Sequence, residues 1–97
     1  MTVLSNDDVD RRLARLPGWS RQESAIVRQF TFAGFPDAVA FVQRLVPGAE
    51  AADHHPDVTI NYRRVTLSFS THSEGGITEK DFEGAARADE LADAGKS

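Results

Sequence analysis

The stretch DVTINYRRVTLSFS, residues 57–70, decides the fold because apolar and polar residues alternate along both of its halves. A period of two is typical of strands in an antiparallel sheet with one covered face. The apolar positions are Val58, Ile60 and Tyr62 in the first half, and Val65, Leu67 and Phe69 in the second. We expect these side chains to face the core. We also expect Arg63-Arg64 to form the turn, although arginine is unfavourable in a two-residue hairpin turn.

Two strands and a helix are predicted ahead of this hairpin. Ser5 is a candidate cap for a first helix, whose apolar face carries Val9, Leu13 and Leu16. Pro17-Gly18 ends that helix. Two short strands follow at residues 19–22 and 25–32, with a turn near Glu23-Ser24, and Phe30 and Phe32 share one side of the second.

A middle helix is predicted to begin near Pro36, which suits a first helical turn. Its end has two alternatives: a stop at Val46, before Pro47-Gly48, or a kinked continuation to about Asp53. Its apolar line is Phe35, Val39, Val42, Val46 and Ala49, which Phe41 and Leu45 widen.

A last helix follows Gly75-Gly76. Thr78 and Asp81 have the spacing of a capping box. The buried side is predicted to carry Phe82, Ala85, Ala88 and Leu91, and the tail Gly95–Ser97 is predicted to be frayed. The predicted order α-β-β-α-β-β-α, with helices on one face of hairpins, is an α+β fold in one domain, residues 1–97.

Composition excludes several classes of protein. The chain has 97 residues, no cysteine and a net charge of −4, with its basic residues dispersed, so we expect no nucleic-acid partner. No apolar run approaches the roughly 20 residues that span a membrane. The first twelve residues lack the pattern of a secretory signal, so we expect a cytoplasmic protein without a membrane partner.

The candidate chemistry lies in the three histidines. His54 and His55 precede the first strand of the hairpin, and His72 follows the second. A zinc site is unfavourable because adjacent extended residues point to opposite sides and no HExxH motif is present. The hairpin brings Asp53–Pro56 beside Ser70–His72, which favours an acid/base pocket, since imidazole titrates near neutrality. A solvated polar loop is the alternative.

A longer pattern surrounds these histidines. Three, five, nine and eight residues separate its successive parts, which are Glu50, His54-His55-Pro56, Tyr62, His72 and Asp81. Together with STHSEGGITEKDFEGAA, Gly18-Trp19, residues 30–32 and DAVAFVQRL, this pattern resembles the pterin-4a-carbinolamine dehydratase family over about residues 5–92.

The resemblance implies a four-stranded antiparallel sheet with three helices on one face. It also implies a hydro-lyase that converts 4a-hydroxytetrahydropterin to quinonoid dihydropterin and water, in tetrahydrobiopterin recycling, with no cofactor and no metal. The implied catalytic residues are His54, His55, His72 and Asp81, with Asp81 orienting or polarising His72. The implied substrate border is Asp53, His54, His55, Ser70, Thr71 and His72, and Glu50 supports the histidine pair.

Two positions depart from the family pattern. Many members carry an aromatic residue where Val58 stands, and Pro47 is irregular within the middle helix. The resemblance does not distinguish the acid from the base among the imidazoles.

A second class of function is also implied, since some members bind a homeodomain transcription factor or act in protein assembly. A relative with only a binding role would be expected to lack one of the three histidines. A sheet covered on one face leaves edges to hide, so we expect a homodimer or homotetramer.

Overall fold

The computed structural model describes residues 2–94, in which the elements follow the predicted order. The elements are α1 (Asn6–Leu13), β1 (Ser20–Gln22), β2 (Ala25–Thr31), α2 (Phe35–Ala52), β3 (Asp57–Asn61), β4 (Arg64–Phe69), a 3-10 turn η1 (His72–Glu74) and α3 (Glu79–Ala94). The four strands form one antiparallel sheet in the order β1-β2-β4-β3, which confirms the α+β prediction. The predicted frayed tail, residues 95–97, lies outside the described residues.

The β3–β4 hairpin forms as the alternation predicts, but its turn lies one residue earlier. Asn61 pairs with Arg64, so the turn is Tyr62-Arg63 rather than Arg63-Arg64, and Tyr62 takes a φ of 56°. Moving a two-residue turn by one position shifts the register by two residues. Such a shift leaves every side chain on its original face, so the alternation of apolar residues does not distinguish the two turns.

The core lies between the helices and one face of the two central strands. Val65, Leu67 and Phe69 of β4 are buried there, as predicted, beside Ile26 and Phe30 of β2. We call the opposite side of the sheet the open face. It carries the intervening residues of the strands.

The edge strand β3 departs from the prediction. Val58 and Ile60 were expected in the core, yet they are 40% and 38% exposed, and Tyr62 is more exposed still. Val58 and Ile60 lie directly opposite Leu67 and Val65 and so share the covered face. Alternation predicts the face of a strand but not its place in the sheet, and here the strand lies at the edge, where the helices cover it little.

Helix α2 runs through Pro47 to Ala52, so the longer of the two alternatives is correct. Its buried residues are Ala38, Phe41 and Leu45, whereas Phe35 and Val46 are about half exposed, at 51% and 54%. The predicted apolar line is therefore wrong at Phe35 and Val46, whereas its other residues are at least partly buried. The centre of the buried stripe lies at Phe41, which packs on Phe30 and Phe32. No helix within residues 2–94 is both long and apolar enough to cross a membrane.

The start of α3 lies close against the end of β4. Gly84 is buried beside Phe69, and a Cβ built on it would stand 2.5 Å from Cε1 of that ring. Further along α3, Asp89 accepts hydrogen bonds from Trp19 Nε1 at 3.0 Å and Arg28 Nη1 at 2.7 Å. Glycine at position 84 allows the helix to approach the sheet closely. The contacts of Asp89 hold the helix in that place.

We predict that Gly84→Ala destabilises the fold. In an open helix the change would stabilise by about 1 kcal/mol through helix propensity. Here the new methyl group meets a buried ring, and overpacking costs about 1–3 kcal/mol. We expect a net loss of about 1 kcal/mol in the free energy of unfolding, measured by urea denaturation with Trp19 fluorescence. Glu83→Ala, at an exposed position of the same helix, is the control and should change it by less than about 0.5 kcal/mol. Stabilisation by Gly84→Ala would contradict the close contact.

Candidate functional site

Asp81 caps helix α3 in the way that its spacing from Thr78 predicts. The backbone N–H of Thr78 donates to Asp81 Oδ2 at 2.9 Å. Thr78 Oγ1 in turn accepts from the backbone N–H of Lys80 at 3.3 Å. This reciprocal pair is a capping box, which satisfies N–H groups that have no partner within the helix.

The same carboxylate binds a histidine through its other oxygen. Asp81 is fully buried, and its Oδ1 lies 2.6 Å from His54 Nε2. Its Oδ2 also accepts from Thr71 Oγ1 at 2.9 Å, and that hydroxyl lies 2.7 Å from Thr78 Oγ1. The cap and the histidine contact are therefore two functions of one side chain.

The predicted pairing of Asp81 with His72 is wrong, because the structure gives this carboxylate to His54. Successive residues of an extended chain point to opposite faces. Phe69 and Thr71 are both buried on the covered face, whereas His72 begins the exposed turn η1. The one-residue difference between Thr71 and His72 decides which side chain reaches the start of α3.

The end of helix α2 positions the backbone of His54. Asp53 takes a left-handed conformation with φ 49° and ψ 44°. Its N–H bonds to the carbonyl of Glu50 at 3.2 Å, and the N–H of His54 bonds to that of Ala49 at 3.1 Å. These two bonds are the Schellman pattern, in which aspartate occupies a place that glycine usually takes. The chain thereby turns from the helix straight into the histidine pair.

The ring of His54 is then fixed from two sides. It stacks on Phe69 with centroids 6.2 Å apart and an interplanar angle of 21°. Asp81 holds its Nε2, and only 10% of the side chain remains exposed. A histidine held this way has one orientation, with its Nε2 directed at Asp81.

His55 has a different environment. Its Nε2 is hydrogen-bonded to Oε2 of Glu50, the residue predicted to support the histidine pair from the helix. Both side chains are more than half exposed, at 53% and 69%, so the contact is screened by water and contributes little stability. The pair places one imidazole and one carboxylate together at the surface.

His72 lines an open cleft of about 410 Å³ on the open face of the sheet. Val27 and Asp57 both pair with Ser68, which places all three on that face. The full lining is Gln22, Glu23, Ser24, Ala25, Val27, Asp57, Ser68, Ser70 and His72. The cleft is mostly polar, and it sits at the end of β4 nearest the histidine pair.

The remaining predicted substrate contacts have different surroundings. Ser70 lines the cleft and donates to the backbone carbonyl of Ser24 at 2.7 Å. Asp53 is exposed at the end of α2, whereas the side chain of Thr71 points into the interior. Within residues 2–94, no three histidine, aspartate or glutamate side chains are grouped so as to hold a metal ion.

The site therefore offers three imidazoles near one end of the β3–β4 hairpin, each in a different setting. Two of them have a carboxylate partner, and the third faces a cleft. Histidine gives and takes protons near neutral pH, so the arrangement suits proton transfer to a small polar molecule. The sequence predicted Thr71 at the substrate border and Thr78 as a helix cap, but it did not reveal the hydroxyl contacts that link both residues to Asp81.

Comparison with known proteins gives one consistent family. The sequence model of the family Pterin 4 alpha carbinolamine dehydratase matches residues 2–91. A Roseiflexus castenholzii protein provisionally named pterin-4-alpha-carbinolamine dehydratase is 50% identical over 92 residues, covering 94% of this chain and 99% of its own. A relative from Mycobacterium sp. (strain KMS) with the same provisional name is 48% identical over 93 residues, covering 96% and 99%.

Two solved structures share the fold. One is described as a transcriptional coactivator/pterin dehydratase from Brucella melitensis, with a TM-score of 0.90 and 34% identity, covering 94% of this chain and 99% of its own. The other is a pterin dehydratase-like protein identified as a RuBisCO assembly factor in the alpha-carboxysome. Its TM-score is 0.62 and its identity 23%, over 76% of this chain and 86% of its own, a likeness in fold alone.

We predict that Asp81→Ala destabilises the protein by more than the loss of a helix cap. A cap contributes about 1 kcal/mol. Removing this carboxylate also leaves the buried donors of Thr71 and Thr78 without an acceptor, at about 1–3 kcal/mol. We expect a total loss of about 2–4 kcal/mol in urea denaturation. Asp93→Ala, at an exposed position of the same helix, should be nearly neutral. A loss near 1 kcal/mol for Asp81→Ala would mean that the capping role accounts for the whole effect.

Proposed function

The chain belongs to the pterin-4-alpha-carbinolamine dehydratase family, and we propose that it catalyses the dehydration of a 4a-hydroxytetrahydropterin. The products are quinonoid dihydropterin and water, and the physiological role would be the recycling of tetrahydrobiopterin. The observation that carries the proposal is the set of three imidazoles at one end of the hairpin, two of them held by carboxylates.

The reaction needs one proton acceptor and one proton donor on the same ring. The proton on N5 leaves, and the electron pair of that N–H bond forms the C4a=N5 double bond. The C4a–O bond breaks and its electron pair goes to oxygen, which takes up a proton and departs as water. The two proton transfers balance, so the enzyme is unchanged once a proton has passed from its base back to its acid.

We assign His54, His55 and His72 to these proton transfers and to holding the ring. Asp81 orients His54, in place of the His72 partner expected from sequence, and Glu50 holds His55. Ser70 and Asp53 are proposed to border the substrate, Ser70 from the cleft that His72 lines. Placed side chains of this type accelerate proton transfer by roughly 10²–10⁴-fold.

The proposed mechanism uses neither a metal nor a cofactor. Dehydration changes no oxidation state, and its proton transfers lie within the range of imidazole. Nε2 of His54 and Nε2 of His55 are each directed at a carboxylate rather than at a common point. This donor set fits acid/base chemistry better than metal binding.

A role in binding another protein is the alternative, since the Brucella melitensis neighbour is described as both coactivator and dehydratase. All three histidines and Asp81 are present in this chain, which supports the enzyme. The exposed apolar residues of β3 supply the surface for a protein contact. We propose that this contact is with further copies of the chain, as a homodimer or homotetramer.

We predict that His55→Ala and His72→Ala each lower the dehydration rate while the fold stays intact, because both side chains are exposed. His72→Ala should also weaken pterin binding, since His72 lines the cleft. The measurement is the breakdown of 4a-hydroxytetrahydropterin with and without protein, corrected for the uncatalysed loss of water. Arg63→Ala, at the far end of the hairpin, is the control. Wild-type rates in both histidine variants would refute the enzymatic assignment and favour the binding role.

We predict a mass of at least twice the 10.6 kDa of the chain by light scattering. Val58 and Ile60 lie on an edge strand with unpaired backbone groups, and Val46 is exposed on α2. Ile60→Lys should lower the mass by placing a charge in that surface. Thr59→Lys, its neighbour on the open face, should not. A monomer at micromolar wild-type concentration would contradict the proposed assembly and leave the catalytic assignment untouched.

A further inference from the structure

In each hydrogen bond that leads from Thr78 through Thr71 to Asp81, the donor and the acceptor can be assigned. Thr71 has a single hydroxyl proton, and it donates that proton to Asp81 Oδ2 at 2.9 Å. The 2.7 Å contact between the two threonines must then be a donation from Thr78 to Thr71. Thr78 Oγ1 accepts from the backbone N–H of Lys80, so it is free to give its own proton onward. Asp81, the acceptor at its end, thus sets the direction of this chain of hydrogen bonds.

Asp81 Oδ2 is the end point of that chain. It accepts from Thr71 Oγ1 and from the backbone N–H of Thr78, both at 2.9 Å and both in the interior. A carboxylate in its ionised form is an acceptor only. With Oδ2 committed to two donors, Oδ1 is left to accept from His54 Nε2 at 2.6 Å.

This arrangement decides which nitrogen of His54 carries the proton in the neutral ring. Nε2 must be the N–H group, because Asp81 presents an acceptor to it. Nδ1 is then the nitrogen with a free electron pair. Within residues 2–94 no group hydrogen-bonds to Nδ1 of His54. Arg44 Nε is the only fully buried side-chain nitrogen or oxygen atom of these residues that lacks a partner, so Nδ1, which also lacks one, is not fully buried. Nδ1 is therefore unpaired and open to a ligand.

We propose that Thr71, with Thr78, is a positioning residue that fixes Asp81 and thereby holds His54 as the Nε2–H tautomer, with Nδ1 as the atom that accepts the N5 proton. The transfer of the N5 proton rests on the proposed function, because it needs that substrate. The tautomer of His54 does not, because it is a property of the free protein. His54 is then the base. Thr71 acts from the interior, without touching the substrate.

The tautomer is tested on the free protein by long-range ¹H–¹⁵N correlation, at a pH where the ring is neutral. His54→Gln identifies the signals of His54. The wild type should show a protonated Nε2 and an unprotonated Nδ1. In Asp81→Asn, Thr71 and Thr78 N–H hold the amide oxygen on their side and turn the NH₂ group to His54. We expect that variant to invert the tautomer, and Asp93→Asn to leave it unchanged.

The role of Thr71 is tested by Thr71→Val, which keeps the shape and removes the hydroxyl, with Thr71→Ser as the variant that restores it. We expect Thr71→Val to show mixed tautomer signals and a kcat lower by roughly 10- to 100-fold, as for one lost hydrogen bond to a charged group, with KM little changed. Thr71→Ser should regain most of both. If Thr71→Val does not fold, Thr71→Ser and Asp81→Asn carry the test.

Three results would overturn the proposal: an Nδ1–H tautomer in the wild type, an uninverted tautomer in Asp81→Asn, or wild-type signals and kcat in folded Thr71→Val. The two parts fail separately. If the tautomers behave as expected but no dehydration is seen, the proposed function fails and the positioning by Thr71 stands. If the wild type dehydrates the pterin with the opposite tautomer, the positioning fails and the function stands.

Discussion

One buried carboxylate joins the parts of this protein that build the candidate site. An unpaired charge in a protein interior is costly, so Asp81 requires donors on both of its oxygens. Those donors come from three places: the N-terminus of α3, the end of β4 and the loop that follows α2. The need to satisfy a single buried side chain therefore fixes the relative position of two helices and a strand. The helix cap and the histidine site are held by the same set of bonds.

Local patterns predicted the elements well and their burial less well. The alternation of residues 57–70, the cap at Ser5 and the capping box at Thr78 each predicted an element that the structure contains. The exposed apolar residues of β3, and the exposed Phe35 and Val46 of α2, mark the limit of these patterns. Periodicity identifies a face, but the order of the strands in the sheet decides how much of that face is covered. That order depends on contacts between segments far apart in sequence.

The site shows the same division between residue identity and residue pairing. The sequence pointed to candidate residues, and the contact between Glu50 and His55 follows from their positions on either side of the helix end. The partner of Asp81 did not follow, because a strand continues to alternate beyond Phe69 and so turns Thr71 inward and His72 outward. The sequence marks the alternation as far as Phe69, but it does not show that the extended chain continues to Thr71, where a bridge to Gly76 prolongs it. The side chain of Thr71, expected at the substrate border, is buried and donates to Asp81.

The contact between Gly84 and Phe69 restricts how this sequence can change over evolutionary time. The ring occupies the space where a side chain at position 84 would stand, and its other surroundings include the imidazole of His54. A larger residue at position 84 therefore requires a smaller one at position 69, and that exchange would remove the surface on which His54 stacks. Substitutions at the two positions are expected to be non-additive, as for any pair in direct contact. In this family member, a helix glycine outside the candidate site is tied to that site through one shared aromatic neighbour.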